Sequence, residues 1–310
     1  MNLHASPHAA STAPSRPCNQ GITAADARSY ASTLARHAVR ALYAEVLTYP
    51  KPGLVSLIDS GSHDDMDAST FLRSLFSLRH YFRLICLAGQ QGAPFARLKQ
   101  LGIEAEARMM AATGGINTHR GAIFSLGLLC AAAGSLHARQ HAITAAAMRA
   151  ALLDNWGVAL AAHASAVAAS SETPDLSHGL RAAALHAASG AREEGALGLP
   201  SVFEIGLPAL QAALALGASM EHARVDTLFS LMAHISDSNV YYRAGPQGAQ
   251  IVRDEAQRFL AQGGTRHPEW FANAEACHRL FVRHRLSPGG AADLLAASCL
   301  LYVMLNAASL

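Results

Sequence analysis

Thr113-Gly-Gly-Ile-Asn-Thr-His-Arg-Gly121 (TGGINTHRG), running straight into Ala122–Ala133 (AIFSLGLLCAAA), is the stretch that decides how this chain reads. A helical run ends near Ala112, the paired glycines turn the chain, and the apolar run that follows is long enough for a buried helix. A Gly-rich turn feeding a helix presents free N–H groups at the positive end of the helix dipole, a place suited to an anion such as phosphate. The same turn can equally be a helix–helix connector with glycine caps.

Outward from this segment the pattern stays helical. Periodicity predicts helices over 29–49, 68–89, 94–112, 121–136, 142–171, 176–189, 207–217, 221–235, 247–262, 268–284 and 291–308. Pro50, Pro52, Pro94, Pro174, Pro200, Pro246, Pro268 and Pro288 fall between them, where helix punctuation belongs. No pair of strands with a hairpin turn stands out, and aromatic residues are only 6%. The expectation is an all-α fold: one globular domain of about ten helices over 29–310, preceded by a disordered tail over 1–28 rich in Ala, Ser, Pro and His.

Hydrophobic residues make up 51% of the 310 and charged residues 15%, with a net charge of +2. Nothing in that balance suggests a nucleic-acid partner. Ala122–Ala133 and Val158–Ala169 are shorter than a membrane span and read as core helices, not membrane segments. Cys18, Cys86, Cys130, Cys277 and Cys299 are odd in number and far apart, as free thiols of a reducing compartment are. No signal peptide is apparent, so the expected location is the cytoplasm.

Several polar residues sit where packing alone would not put them. Ala31, Leu34, Ala35, Ala38 and Leu42 form an apolar stripe, and Glu45 continues it toward the core. A buried carboxylate needs a cation or a metal; a structural pair with an Arg is the plain alternative. The next loop, Tyr49-Pro-Lys-Pro-Gly53, carries Lys51, one of two lysines in the chain. Ser60-Gly-Ser-His63-Asp64-Asp65-Met-Asp67 then places a His and three Asp together, suited to hard-cation or acid–base chemistry. Asp67 fits a helix N-cap; Asp64 and Asp65 exceed what capping needs. Two further loops, Ser236-Asp237-Ser-Asn239 with Arg243–Gly248, and Ser287-Pro-Gly289-Gly290 with Asp293, pair Gly-rich backbone with a carboxylate. Each can cradle phosphate while the carboxylate holds Mg²⁺. His186, Ser189, Arg192 and Glu194 either line the same cleft or end a helix beside Gly195 and Gly198. Most of the other histidines read as surface or satisfied-core residues.

Four of these stretches resemble the triphosphoribosyl-dephospho-CoA synthase family: EVLTYPKPGLVSLIDSGSHDDMD (45–67), GIEAEARMMAATGGINTHRGAIFSLG (102–127), DSNVYYRAG (237–245) and SPGGAADLLA (287–296). The resemblance spans roughly 30–305. It implies ATP and 3′-dephospho-CoA as substrates. The 2′-hydroxyl of dephospho-CoA displaces adenine from C1 of the ATP ribose and leaves the triphosphate attached. The product is a prosthetic-group precursor, passed to an enzyme that modifies the acyl carrier protein of malonate decarboxylase or citrate lyase. Arg120 favours the malonate decarboxylase branch. On this resemblance Glu45 or Asp65 is the base, and His63 or His119 protonates adenine or positions the ribose. Asp65, Asp237 and Asp293 hold Mg²⁺. Lys51, Gly114, Gly115, Asn117, Thr118, Arg120, Asn239, Arg243, Ser287, Gly289 and Gly290 bind the nucleotide. Two other classes compete. A Mg²⁺-dependent N-glycosidic hydrolase of ADP-ribose or nucleotides would release adenine without dephospho-CoA, and a non-catalytic helical assembly partner would bind neither ATP nor Mg²⁺.

Overall fold

Three glycines let two helices approach almost to backbone contact, and the rest of the fold is laid around that pair. The computed structural model describes residues 22–170 and 190–306. In α3 (Arg79–Gln90) and α5 (Arg120–Ala138), a β-carbon on Gly89 would overlap the Ala131 carbonyl. One on Gly134 would overlap the Cys86 carbonyl, and one on Gly127 the Tyr81 hydroxyl. Tyr81 uses that hydroxyl to donate to the Ile123 carbonyl at 2.8 Å.

α5 is apolar on every side and is packed on every side, as a helix without a polar face must be. It lies against α1 (Ala24–Leu47), α3, α4 (Phe95–Thr113), α6 (Ala145–Ser170) and α11 (Gly289–Asn306). α2 (Ala68–Ser77) covers α4. A π-helical turn, Ser201–Gly206, leads into α7 (Leu207–Ala215), which packs on α8 (Met220–His234); α8 in turn packs on α9 (Ser238–Ala261). Phe229 of α8 stacks on Phe259 of α9 at 3.8 Å. After α10 (Trp270–Arg283), α11 returns to lie against α5, α1 and α8. The last helix thereby closes the two halves of the chain onto each other.

The all-α expectation holds: no strand occurs among the described residues. Three boundaries differ from it. α1 starts at Ala24, inside the predicted tail, because Thr23 and Asp26 form a reciprocal capping box; residues 1–21 lie outside the described residues. The predicted 68–89 helix is two helices meeting at Leu78. The predicted loop 236–246 is largely helical. α9 begins at Ser238 and kinks where Gly245 (φ 63°) precedes Pro246, which cannot continue the hydrogen-bond ladder. The predicted 176–189 helix lies outside the described residues. The apolar run read from Ala122 to Ala133 is part of the 19-residue α5, and by length and composition alone α5 and the 18-residue α11 could each cross a membrane. Within the fold 78% and 61% of those windows are buried against neighbouring helices.

The packing predicts opposite signs for two kinds of glycine substitution. Gly89→Ala and Gly134→Ala should each destabilise by about 1–3 kcal/mol, since the new methyl meets backbone that cannot move aside. Gly157→Ala on α6, where a methyl meets only the Leu153 side chain at 3.5 Å, should stabilise by about 0.5–1 kcal/mol. Urea unfolding of the three variants checks both.

Candidate active site

Glu45 does face the core, and its partner is Lys51, not an arginine. The two side chains, 4% and 1% exposed, form a 2.5 Å pair. Burial pushes the Glu45 carboxyl up, and the Lys51 ammonium works against that shift. The loop that delivers Lys51 is fixed from both sides. The Lys51 carbonyl accepts from the Leu54 N–H at 3.1 Å and lies 3.1 Å from His278 Nδ1 of α10, whose Nε2 is 3.4 Å from Asp59. Gly53 (φ 68°) lets the loop touch the Leu286 carbonyl, and the Ser62 hydroxyl donates to that same carbonyl at 2.6 Å.

Three helix N-termini converge beside this pair, and two aspartates bridge them. Asp237 caps α9 by accepting from the Asn239 N–H, and its other oxygen accepts from the Ala291 N–H in the first turn of α11, both at 2.9 Å. Asp293, on α11, lies against the first turn of α5, where Gly121 leaves room for its carboxylate and the Ala122 N–H favours its charged form. Burial and the negative charges of Glu45 and Asp237 push the Asp293 carboxyl well above the usual carboxylate range. Burial also raises Asp237, against the pull of its backbone donors. The turns read from sequence as phosphate cradles at Ser287, Gly289, Gly290 and at Gly121 thus hold protein carboxylates at their first N–H groups.

The TGGINTHRG loop divides its duties. Gly114 (φ 70°) and Gly115 (φ 92°) end α4: both N–H groups donate to the Met110 carbonyl, so the cap reading holds for them. Asn117 accepts from the Arg120 N–H at the start of α5, and the Arg120 guanidinium pairs with Glu106 of α4. His119 is buried. The Thr118 hydroxyl donates to Ser74 Oγ at 2.6 Å, and Ser74 Oγ lies 2.6 Å from His119 Nδ1. The His119 Nε2 has no partner. Burial first, and the nearby Lys51 charge second, push the imidazole down to about 3.

A second group lines the loop at 62–65. His63 Nε2 is 2.8 Å from Ser287 Oγ, and Arg243 reaches His63 Nδ1 at 3.1 Å and the Ser62 carbonyl at 3.3 Å. Asp65 stands 3.6 Å from the same Nδ1. The order Ser–His–Asp suggests a nucleophile array, but an arginine only donates. Nδ1 must therefore accept, Nε2 carries the proton, and Ser287 receives a hydrogen bond instead of losing its proton. Burial, and after it Arg243, holds the imidazole below its usual range, against the pull of Asp65.

The predicted metal trio is not assembled. Asp65 is exposed and couples to His63, and among the described residues no group of three His, Cys, Asp or Glu side chains is placed to hold a metal. Asp67 is an N-cap, held at about 2 by the Thr70 N–H, then the Thr70 and Ser69 hydroxyls. Glu194 accepts from the Ser201 N–H and hydroxyl at the π-helical turn; His186 and Ser189 lie outside the described residues. Sequence reasoning missed Ser74 and His278. Ser74 carried one signal: with Thr70 and Leu75 it lies on the buried face of α2, a polar residue on a core stripe as Glu45 is.

Removing one member of the buried pair strands the other. Lys51→Met should cost about 3–5 kcal/mol of stability, and adding Glu45→Gln to it should recover part of that loss. Chemical denaturation of the single and double variants measures the coupling, which equal and additive losses would refute.

Residues 31–309 match the family of ATP:dephospho-CoA triphosphoribosyl transferases (CitG). A Pectobacterium atrosepticum protein named 2-(5''-triphosphoribosyl)-3'-dephosphocoenzyme-A synthase is 42% identical, over 84% of this chain and 86% of its own length. Relatives in Acinetobacter calcoaceticus and Pseudomonas putida, each named "Probable 2-(5''-triphosphoribosyl)-3'-dephosphocoenzyme-A synthase", are both 39% identical. They cover 84% and 87% of this chain, and 90% and 93% of their own lengths. No solved structure matches. With its length matched almost from end to end, and with the four quoted stretches gathered at one junction of helices, the chain belongs to the ATP:dephospho-CoA triphosphoribosyl transferase family.

Proposed function

We propose that this protein transfers the triphosphoribosyl group of ATP to the 2′-hydroxyl of 3′-dephospho-CoA with release of adenine. The observation that carries the reading is the buried junction itself. Glu45, Lys51, His119, Asp237 and Asp293 come from four separate family-like stretches and meet at the N-termini of α5, α9 and α11.

Displacement at an anomeric carbon builds positive charge on the ribose and needs a base for the incoming hydroxyl. Glu45 is a carboxylate whose proton affinity burial raises, the direction that suits a base. Its partner Lys51 limits that shift and is placed to draw phosphate oxygens toward the same point. His63 and Arg243 lie on the 287–290 side, suited to the remaining phosphates or the ribose. The triphosphate does not react, so these groups bind and orient it.

Mg²⁺ is the expected companion of ATP. The junction holds three carboxylates, Glu45, Asp237 and Asp293, and Lys51 is paired with Glu45 alone. That surplus of negative charge and the hard oxygen donors suit an ion that takes one or two carboxylates and completes its shell with phosphates and water. Asp293 is the residue to hold it, since Asp237 has an N–H on each oxygen. When bound, the ion would neutralise the triphosphate.

The carrier served downstream is read as the acyl carrier protein of malonate decarboxylase, with that of citrate lyase the other branch; Arg120 in TGGINTHRG supports the former. The nucleotide substrates and the buried free thiols among the described residues support a cytoplasmic location.

Incubation with ATP, Mg²⁺ and dephospho-CoA should yield free adenine and a product carrying the added triphosphoribosyl group. Adenine without that product would point to a hydrolase, and neither would end the proposal. Asp293→Asn should lower the transfer rate by about 100-fold or more. The same variant should melt higher than the wild type at pH 8. A carboxyl whose folded pKa exceeds its unfolded value near 4 favours folding below that value, and the benefit is lost as pH rises through the folded pKa. Equal melting of the two proteins at pH 8 would refute the surplus-charge account. Mg²⁺ should raise the melting temperature of the wild type more than that of Asp293→Asn.

A further inference from the structure

We infer that Ser74 is a positioning residue that holds His119 in the tautomer with its proton on Nε2, so that His119 meets the substrate as a neutral hydrogen-bond donor. The inference rests on the reading of this junction as the transfer site. It assigns a role to a residue outside the four family-like stretches.

The polarity of a short chain of hydroxyls carries the argument. Thr118 Oγ1 donates to Ser74 Oγ. Ser74 keeps its own proton to give, and among the described residues its Oγ has no acceptor other than His119 Nδ1, 2.6 Å away, so the proton goes there. An imidazole nitrogen that accepts leaves the proton on the other nitrogen. The ring cannot swing to another arrangement. It is 2% exposed, the Phe71 ring packs edge-on at 5.0 Å, and the His119 N–H is engaged by Met109 Sδ. The Nε2–H that results is buried and has no protein partner. Buried donors are almost always paired, and an orphan beside a cluster of functional groups marks the place where a ligand atom completes the bond. The partner it fits is an acceptor oxygen of the nucleotide, on the ribose or a phosphate.

Two features keep the imidazole uncharged. His119 is the N-cap of α5, where the helix dipole opposes a cation, and the Lys51 ammonium is nearby. A neutral imidazole orients and polarises by donating, and keeps its proton. His119 is therefore not the acid that protonates adenine.

The test starts with ¹⁵N-histidine-labelled wild-type enzyme without substrate, its His119 signals identified by their loss in His119→Gln. Long-range ¹⁵N–¹H correlations should show the proton on Nε2 throughout the range from about pH 6 to 9, where an ordinary histidine titrates. Ser74→Ala should give mixed tautomers and about a tenfold fall in kcat with KM for ATP little changed, and Ser74→Thr should restore both. A proton on Nδ1 in the wild type, or an unchanged tautomer or an unchanged kcat in Ser74→Ala, would overturn the inference. If Ser74→Ala does not fold, as its melting curve will show, Thr118→Val replaces it. With Ser74 still able to donate, the Nε2–H signal should persist, and its loss would overturn the inference. Because the tautomer is read without substrate, failure to form the triphosphoribosyl product would count against the proposed function alone.

Discussion

The buried pair between Glu45 and Lys51 is the constraint around which the site is arranged. Two charges taken out of water are tolerated only when their geometry is held and their remaining hydrogen-bonding capacity is met. That requirement explains the rigid path from Thr48 to Ser62. Gly53 permits contact with the Leu286 carbonyl, Ser62 donates to it, and His278 with Asp59 holds the loop from α10. A looser loop would let the ammonium reach solvent and strand the carboxylate.

Around the pair, helix termini and carboxylates are interlocked. Asp237 ties the start of α9 to that of α11, and Asp293 ties α11 to α5. The positive ends of three helices thus stabilise carboxylates that burial would otherwise neutralise. The arrangement stores negative charge close to an ammonium and an uncharged imidazole. Such preorganisation lowers the reorganisation needed when charge develops on a bound nucleotide, and it holds the junction at a stability cost of the kind functional sites commonly carry.

Much of this was legible in the sequence because local rules govern it. Apolar periodicity located the helices, and the stripe from Ala31 to Leu42 placed Glu45 in the core before any partner was known. What was read less well depended on distance in the chain. The glycines of TGGINTHRG look the same whether their N–H groups face a phosphate or close a Schellman-type turn; only the Met110 carbonyl decides. Asp65, in the densest acidic cluster, proved exposed, while Asp293, alone in an apolar helix, proved a carboxyl raised well above its usual range by burial and by Glu45 and Asp237. Ser74 carried only the faint signal of a polar residue on a core stripe, and its role shows only once His119, 45 positions on, is placed against it.

The sequence by itself determined the all-α class, the inward carboxylate and the family, since helical period, composition and short motifs are properties of neighbouring residues. Only the tertiary structure decided which charges meet. Lys51 rather than an arginine completes Glu45, the aspartates cap the helices of other segments, and His119 is left with a single bare nitrogen. The physical reason is that desolvation and pairing depend on what surrounds an atom in space, and those surroundings come from α1, α2, α5, α9 and α11 together.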